Sequence, residues 1–84
     1  MKNRSRTELV SNILEVANGG ATKTKIMYRA FLSYAQLKEY LAMLTQNGLI
    51  ARDVEGELYR TTSNGIKFLE SSRQLGRLLT SVAS

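Results

Sequence analysis

Apolar residues recur at helical spacing in three stretches of this chain, then at a spacing of two, then at helical spacing again to the end. The clearest stretch runs over residues 33–50. Leu37, Tyr40, Leu41 and Leu44 stand at i, i+3, i+4 and i+7, so one face of a helix is apolar. Ser33 with Gln36 three residues on has the spacing of a capping box. Asn47-Gly48 supplies the stop, because glycine takes the left-handed conformation at low cost. Opposite the leucines lie Ala35, Lys38, Glu39, Ala42 and Gln46. Two of these are alanines, so the face is slim enough to approach another surface closely. Taken alone, it reads first as an ordinary solvated face.

The flanking stretches have their own signals. Residues 1–6 are basic and polar with no apolar anchor, the pattern of a frayed arm. Ser5 and Glu8 then open a helix whose stripe is Leu9, Val10, Ile13, Leu14 and Ala17, ended by Asn18-Gly19-Gly20. Thr22 caps a shorter helix through Arg29 or Phe31, with Ile26, Met27 and Ala30 on its apolar side. Lys25 and Arg29, four apart, share one of its faces. Its N-terminal N–H groups suit a phosphate oxygen, although a solvated basic face explains the same residues equally well. A short helix, a tight turn and a longer amphipathic helix follow helix-turn-helix order, here without the glycine often found in the turn.

After Gly48 the period of two predicts strands over residues 49–54 and 57–61, joined at Glu55-Gly56. The hairpin tip carries Asp53, Glu55 and Glu57. It is too short for a calcium loop and is a poor grip for phosphates; Arg52 and Arg60, farther back, are better placed. Thr61, Thr62 or Ser63 caps a final helix reaching about residue 82. Its far half bears a stripe of Leu75, Leu78, Leu79 and Val82. Phe68, Leu75 and Val82 are seven apart, with Ser72 and Leu79 between them, and Gly76 permits a close helix crossing. An apolar stripe beyond the reach of so small a core predicts dimerisation. The alternative is a helix folded back on its own domain.

Composition narrows the function. The 84 residues make one small domain, divided by this reading into a winged helix-turn-helix unit with its basic arm at 1–65 and a dimerisation helix at 66–84. There is no His and no Cys. That removes the commonest general base, the commonest metal ligands and any disulfide. No nucleophile elbow, phosphate loop or paired-acid constellation is present, so the expectation is a non-enzyme without cofactor or metal. The apolar runs are too short for a signal peptide or a membrane span. The net charge is +5, and its distribution is uneven. Residues 1–38 hold seven cations against two acids, while residues 39–84 hold five of each. A polyanionic partner would therefore meet the first half of the chain.

The order helix, helix, helix, hairpin, long helix resembles the winged-helix fold. The run Leu32-Ser33-Tyr34 through Leu37, Leu41, Leu44 and Gly48-Leu49-Ile50 is similar to the helix-to-strand segment of archaeal winged-helix DNA-binding proteins. The run Tyr59-Arg60-Thr61-Thr62-Ser63-Asn64-Gly65 is similar to their strand-to-last-helix junction. The resemblance covers nearly the whole chain. It implies a mainly α fold with a small β-hairpin, and a function as a transcriptional regulator or as a small chromatin-associated protein that dimerises through an antiparallel C-terminal coiled coil. The acidic hairpin tip and the short last helix depart from that pattern.

The expectation is thus a homodimer that binds double-stranded DNA, cytoplasmic and nucleoid-associated. Lys23, Lys25 and Arg29 contact phosphates, with Arg52 and Arg60 behind the wing tip. The third helix enters the major groove with Ser33, Tyr34, Ala35, Lys38, Glu39 and Ala42 nearest the bases. Lys38 suits guanine and Glu39 suits cytosine; Gln36 is partly occupied in the cap, and Tyr34 stands at an angle that fits either the groove or the edge of the core. Phe68, Ser72, Leu75, Gly76, Leu78, Leu79 and Val82 form the dimer seam. The alternative is a winged helix used only for protein contacts, which leaves the concentration of charge unexplained.

Overall fold

The computed structural model describes the backbone of residues 4–53 and 55–83, and their side chains as far as residue 75. The chain folds as α1 (Arg6–Ala17), α2 (Lys23–Arg29), α3 (Tyr34–Gln46), β1 (Ile50–Arg52), β2 (Tyr59–Thr61) and α4 (Ser63–Ala83). This is a winged helix-turn-helix: mainly α, with one small antiparallel hairpin.

The helix starts follow the sequence. The Ser5 hydroxyl accepts from Glu8 N at 3.1 Å and the Glu8 carboxylate accepts from Ser5 N at 2.9 Å. Ser33 and Gln36 repeat that reciprocal pair at 3.1 and 3.0 Å, so the Gln36 side chain is held in the cap. Thr22 Oγ1 accepts from Lys25 N, and Thr62 Oγ1 accepts from Gly65 N. Each such cap contributes about 1 kcal/mol by satisfying an otherwise orphaned donor.

The helix stops contain a surprise. At the end of α3, Leu49 N donates to Leu44 O and Gly48 N to Thr45 O, with Gly48 at φ +76. That is the Schellman arrangement, in which the left-handed residue is usually glycine. The end of α2 has the same two bonds: Leu32 N to Met27 O at 2.9 Å and Phe31 N to Tyr28 O at 3.3 Å. Here the left-handed residue is Phe31, at φ +56, and among the described residues no other non-glycine has a positive φ. A Cβ in that conformation costs about 1–2 kcal/mol. The turn between α2 and α3 therefore has the geometry that a glycine would give, without the glycine.

The basic arm is docked from Arg4 onward, contrary to the frayed arm read from the sequence. The Arg4 guanidinium donates to Ala30 O at 2.7 Å and to Phe31 O at 2.8 Å, two carbonyls just beyond the end of α2. Arg6 lies over the Tyr40 ring, 5.7 Å from its centroid. A sequence shows the missing apolar anchor but not distant carbonyls that need donors.

The core sits between α1 and α3 and is closed by the sheet and α4. Ile13, Leu14, Ile26, Leu44 and Ile50 are its most enclosed large side chains. Tyr40 and Tyr59 join them, and Leu69 seals the α4 side. Ala21 pairs with Tyr59 through two backbone bonds of 2.9 and 2.8 Å. This bridge adds a third edge to the sheet, and one isolated residue has no period for a sequence reading to detect.

The hairpin is shorter than the alternation predicted. β1 and β2 pair as Ile50 with Thr61, Ala51 with Arg60 and Arg52 with Tyr59. Leu49 falls outside the strands because its N–H is spent closing α3 on Leu44 O, and residues 53, 57 and 58 because the turn is wide. Asp53 organises it: its Oδ1 accepts from Glu57 N at 3.0 Å and its backbone carbonyl from Gly56 N. One of the three tip acids is therefore part of the turn itself. Val54 lies outside the described residues.

α4 begins against the domain. Phe68 and Ile66 pack half-buried on the core, Ser72 Oγ lies 3.1 Å from Ser11 Oγ, and Arg73 pairs with Glu15 at 3.1 Å. That ion pair is exposed and adds little. Phe68 and Ser72, assigned to the dimer seam by heptad counting, are thus engaged with α1 and the core. Leu75 is 60% exposed. The surroundings of Gly76 and the side chains of Leu78, Leu79 and Val82 lie outside what the structure describes.

Gly65 is required by close approach: a Cβ there would overlap Leu49 O and Thr61 Cγ2. Gly65→Ala should cost about 1–3 kcal/mol, since the obstacle is backbone and a buried methyl. A melting temperature lowered by about 5 °C or more in thermal unfolding checks this. Phe31→Gly should do the reverse. It relieves the left-handed strain, partly offset by glycine's extra chain entropy, and should stabilise by about 0.5–1 kcal/mol, read as a higher urea midpoint at unchanged slope.

Candidate nucleic-acid interface

One open cleft of about 440 Å³ runs along α3 beneath the wing. Lys38, Ala42, Thr45 and Gln46 of α3 form one wall, Arg52 of β1 the other, and Lys23 at the start of α2 closes an end. Leu37, Leu41 and Tyr59, which are core residues, make the floor. The lining holds three cations from three separate elements and no acid. Coulomb repulsion among them is relieved by a polyanion, and low-dielectric walls strengthen the field in such a cleft.

These positions follow from the amphipathic pattern of α3. Leu37, Tyr40, Leu41 and Leu44 turn inward and are buried, which forces Lys38 and Ala42 to the surface beside the wing. Ala42 lets an approaching group come close to the helix backbone. Lys38 Nζ sits 5.7 Å from the Tyr34 ring centroid, within cation–π range. Tyr34 is 64% exposed and so is a surface residue rather than an edge of the core.

The two wing arginines diverge. Alternation along the strands decides this, because Tyr59 is inward and Arg60 outward on β2. Arg52 donates to Gly56 O at 3.1 Å and lies 5.5 Å from the Tyr59 centroid, so its guanidinium is held at the cleft by the wing turn. Arg60 donates to Gly19 O at 2.9 Å, on the loop between α1 and α2. It buttresses that loop and does not line the cleft.

Of the residues singled out from the sequence, Lys23, Lys38, Ala42 and Arg52 come together in the cleft. Lys25, Arg29, Ser33, Tyr34, Ala35 and Glu39 are exposed on α2, the turn and the first half of α3, outside that lining. Thr45 and Gln46 line the cleft without having been assigned a role. Extending the Lys38–Ala42 row by one more turn of helix reaches them, so the signal was present in the spacing.

The winged helix-turn-helix family profile matches residues 3–80. The chain belongs to that family. Among solved structures it is similar to Sso10a-2, a DNA-binding protein from Sulfolobus solfataricus, with a TM-score of 0.81 and 20% sequence identity over 95% of this chain and 86% of that one. At that identity the likeness establishes the fold. No curated protein sequence matches the chain.

Proposed function

We propose that this protein binds double-stranded DNA as a homodimer, with α3 in the major groove. The observation that carries this reading is the acid-free cleft where Lys23, Lys38 and Arg52 converge from three elements along the exposed face of α3. Lys23, Lys25 and Arg29 contact phosphates and release their counterions. Ser33, Tyr34, Ala35, Lys38, Glu39 and Ala42 face base edges, joined by Thr45 and Gln46 toward the wing. Membership of the winged helix-turn-helix family, and the likeness to a protein described as DNA-binding, support the same reading. The role is that of a transcriptional regulator or chromatin-associated factor, acting in the cytoplasm on the nucleoid.

Dimerisation is supported by Leu75, a large apolar side chain left 60% exposed where α4 leaves the core, and by the continuation of its spacing through Leu78, Leu79 and Val82. Phe68 and Ser72 are used within the domain, so the seam runs from Leu75 onward. A two-fold pairing of such stripes is the commonest closed arrangement.

Replacing Lys23 and Lys38 together by Ala should weaken binding to every duplex sequence. It should also reduce the slope of log K against log salt by about 0.9, because Lys23 is the phosphate contact of the pair and each neutralised phosphate accounts for about 0.9. An unchanged slope in the folded double variant would sink the cleft as the DNA site. Wild-type protein without any salt-sensitive duplex binding would leave the protein-contact reading in its place.

Leu75→Asp should sediment as a monomer with an unchanged circular dichroism spectrum. Its duplex affinity should fall at least tenfold, since two linked half-sites become one. Wild-type protein that sediments as a monomer at high micromolar concentration would refute the dimer.

A further inference from the structure

Three aromatic side chains stand in solvent on one bend of the chain. Tyr28 on the last turn of α2 is 71% exposed, Phe31 in the turn 82%, and Tyr34 on the first turn of α3 64%. Among the described residues the one other exposed large hydrophobic is Leu75, at 60%. We propose that Tyr28, Phe31 and Tyr34 form a stacking platform for unpaired nucleobases, giving the protein a single-stranded nucleic-acid binding mode at a site that shares Tyr34 with its duplex interface.

Phe31 is the centre of the argument. Its ring has almost no contact with the fold, and its backbone is held left-handed at φ +56, where glycine would be relaxed. Neither the core nor the turn needs a phenyl group there, and both strain and apolar exposure act against it. Such an outlier points to a use outside the folded chain. The bend is also rigid: the Arg4 guanidinium holds Ala30 O and Phe31 O at 2.7 and 2.8 Å, and two Schellman bonds close α2. A platform fixed in advance loses little entropy when a base lands on it.

The charge around the bend selects the occupant. Residues 16–38 contain Lys23, Lys25, Arg29 and Lys38 and no acid; the next acid is Glu39 on α3. Rings set among cations suit a polyanionic strand with exposed π-faces. A duplex presents only base edges in its grooves, whereas an unpaired strand offers whole bases to aromatic rings. Removing one stacking ring costs about 5- to 150-fold in affinity, and the loss carries no counterion signature.

The test titrates the full chain against a fluorophore-labelled oligo-deoxythymidine, the matching oligo-uridine and a duplex. Phe31→Gly is the informative variant, because it removes the ring and relaxes the backbone. Oligo-deoxythymidine or oligo-uridine affinity should fall about tenfold at an unchanged salt slope, while duplex affinity stays within about twofold. Tyrosine emission should be quenched by the strand in wild type, since two of the four tyrosines lie on the platform. The two oligomers distinguish a DNA from an RNA strand, and stacking on either supports the platform. Equal strand affinity in the folded variant overturns the proposal. So does a parallel loss for the duplex, which would place Phe31 in the duplex interface. Concentration-dependent association that Phe31→Gly abolishes would mean that a second copy covers the patch, and also overturns it. Failure of duplex binding alone leaves the platform standing and removes only the duplex function.

Discussion

The bend between α2 and α3 depends on one left-handed residue. With Phe31 at φ +56 the chain reverses after α2, Leu32 drops into the core, and Ser33 is placed to cap the next helix. The direction of α3 follows from that reversal, and the cleft follows from the direction of α3. Arg4 reinforces the bend from a segment distant in sequence, by giving the carbonyls of the cap residue Ala30 and the turn residue Phe31 a donor. The segment before α1 is thereby part of the helix-turn-helix rather than a tail beside it.

The wing is fixed from two sides. Tyr59 pairs with Arg52 on β1 and with Ala21 before α2, so the hairpin is tied to the front of the helix that carries Lys23. Thr61 Oγ1 donates to Leu14 O at 2.6 Å, anchoring β2 to the last turn of α1 through a buried polar contact that is satisfied. Within that frame Arg52 and Arg60 behave differently despite similar positions on paired strands. Arg52 crosses its own wing turn to the cleft, and Arg60 braces the glycine loop after α1. Formal charge is shared equally between them; only one contributes its charge to the cleft.

The basic character of the first half is thereby divided among tasks. Arg4 closes a turn, Lys23 and Lys38 border the cleft, and Lys25 and Arg29 remain exposed on α2. The wing-tip acids, which argue against phosphate contact at the tip, are partly structural, because Asp53 holds two turn amides.

The sequence by itself determined the elements. Capping boxes at Ser5 and Ser33, the i, i+3, i+4 stripes of α1 and α3 and the stop at Gly48 are local, each read within a few residues, and each stands where its spacing put it. The switch to a period of two located the wing, and the absence of His and Cys narrowed the chemistry. The sequence also held most of the cleft, since burying Leu37, Leu41 and Leu44 leaves only one face for Lys38 and Ala42. What depended on contacts between distant residues was decided by the tertiary structure. The Ala21–Tyr59 bridge, the docking of Arg4 and the opposite fates of Arg52 and Arg60 join residues 26 to 41 positions apart, or turn on which face of a strand meets the core. No periodicity encodes such pairings. The same holds for Phe31, whose side chain argues for the interior and whose backbone occupies a glycine's place; only the folded bend, which must reverse between two packed helices, explains how it stands in solvent.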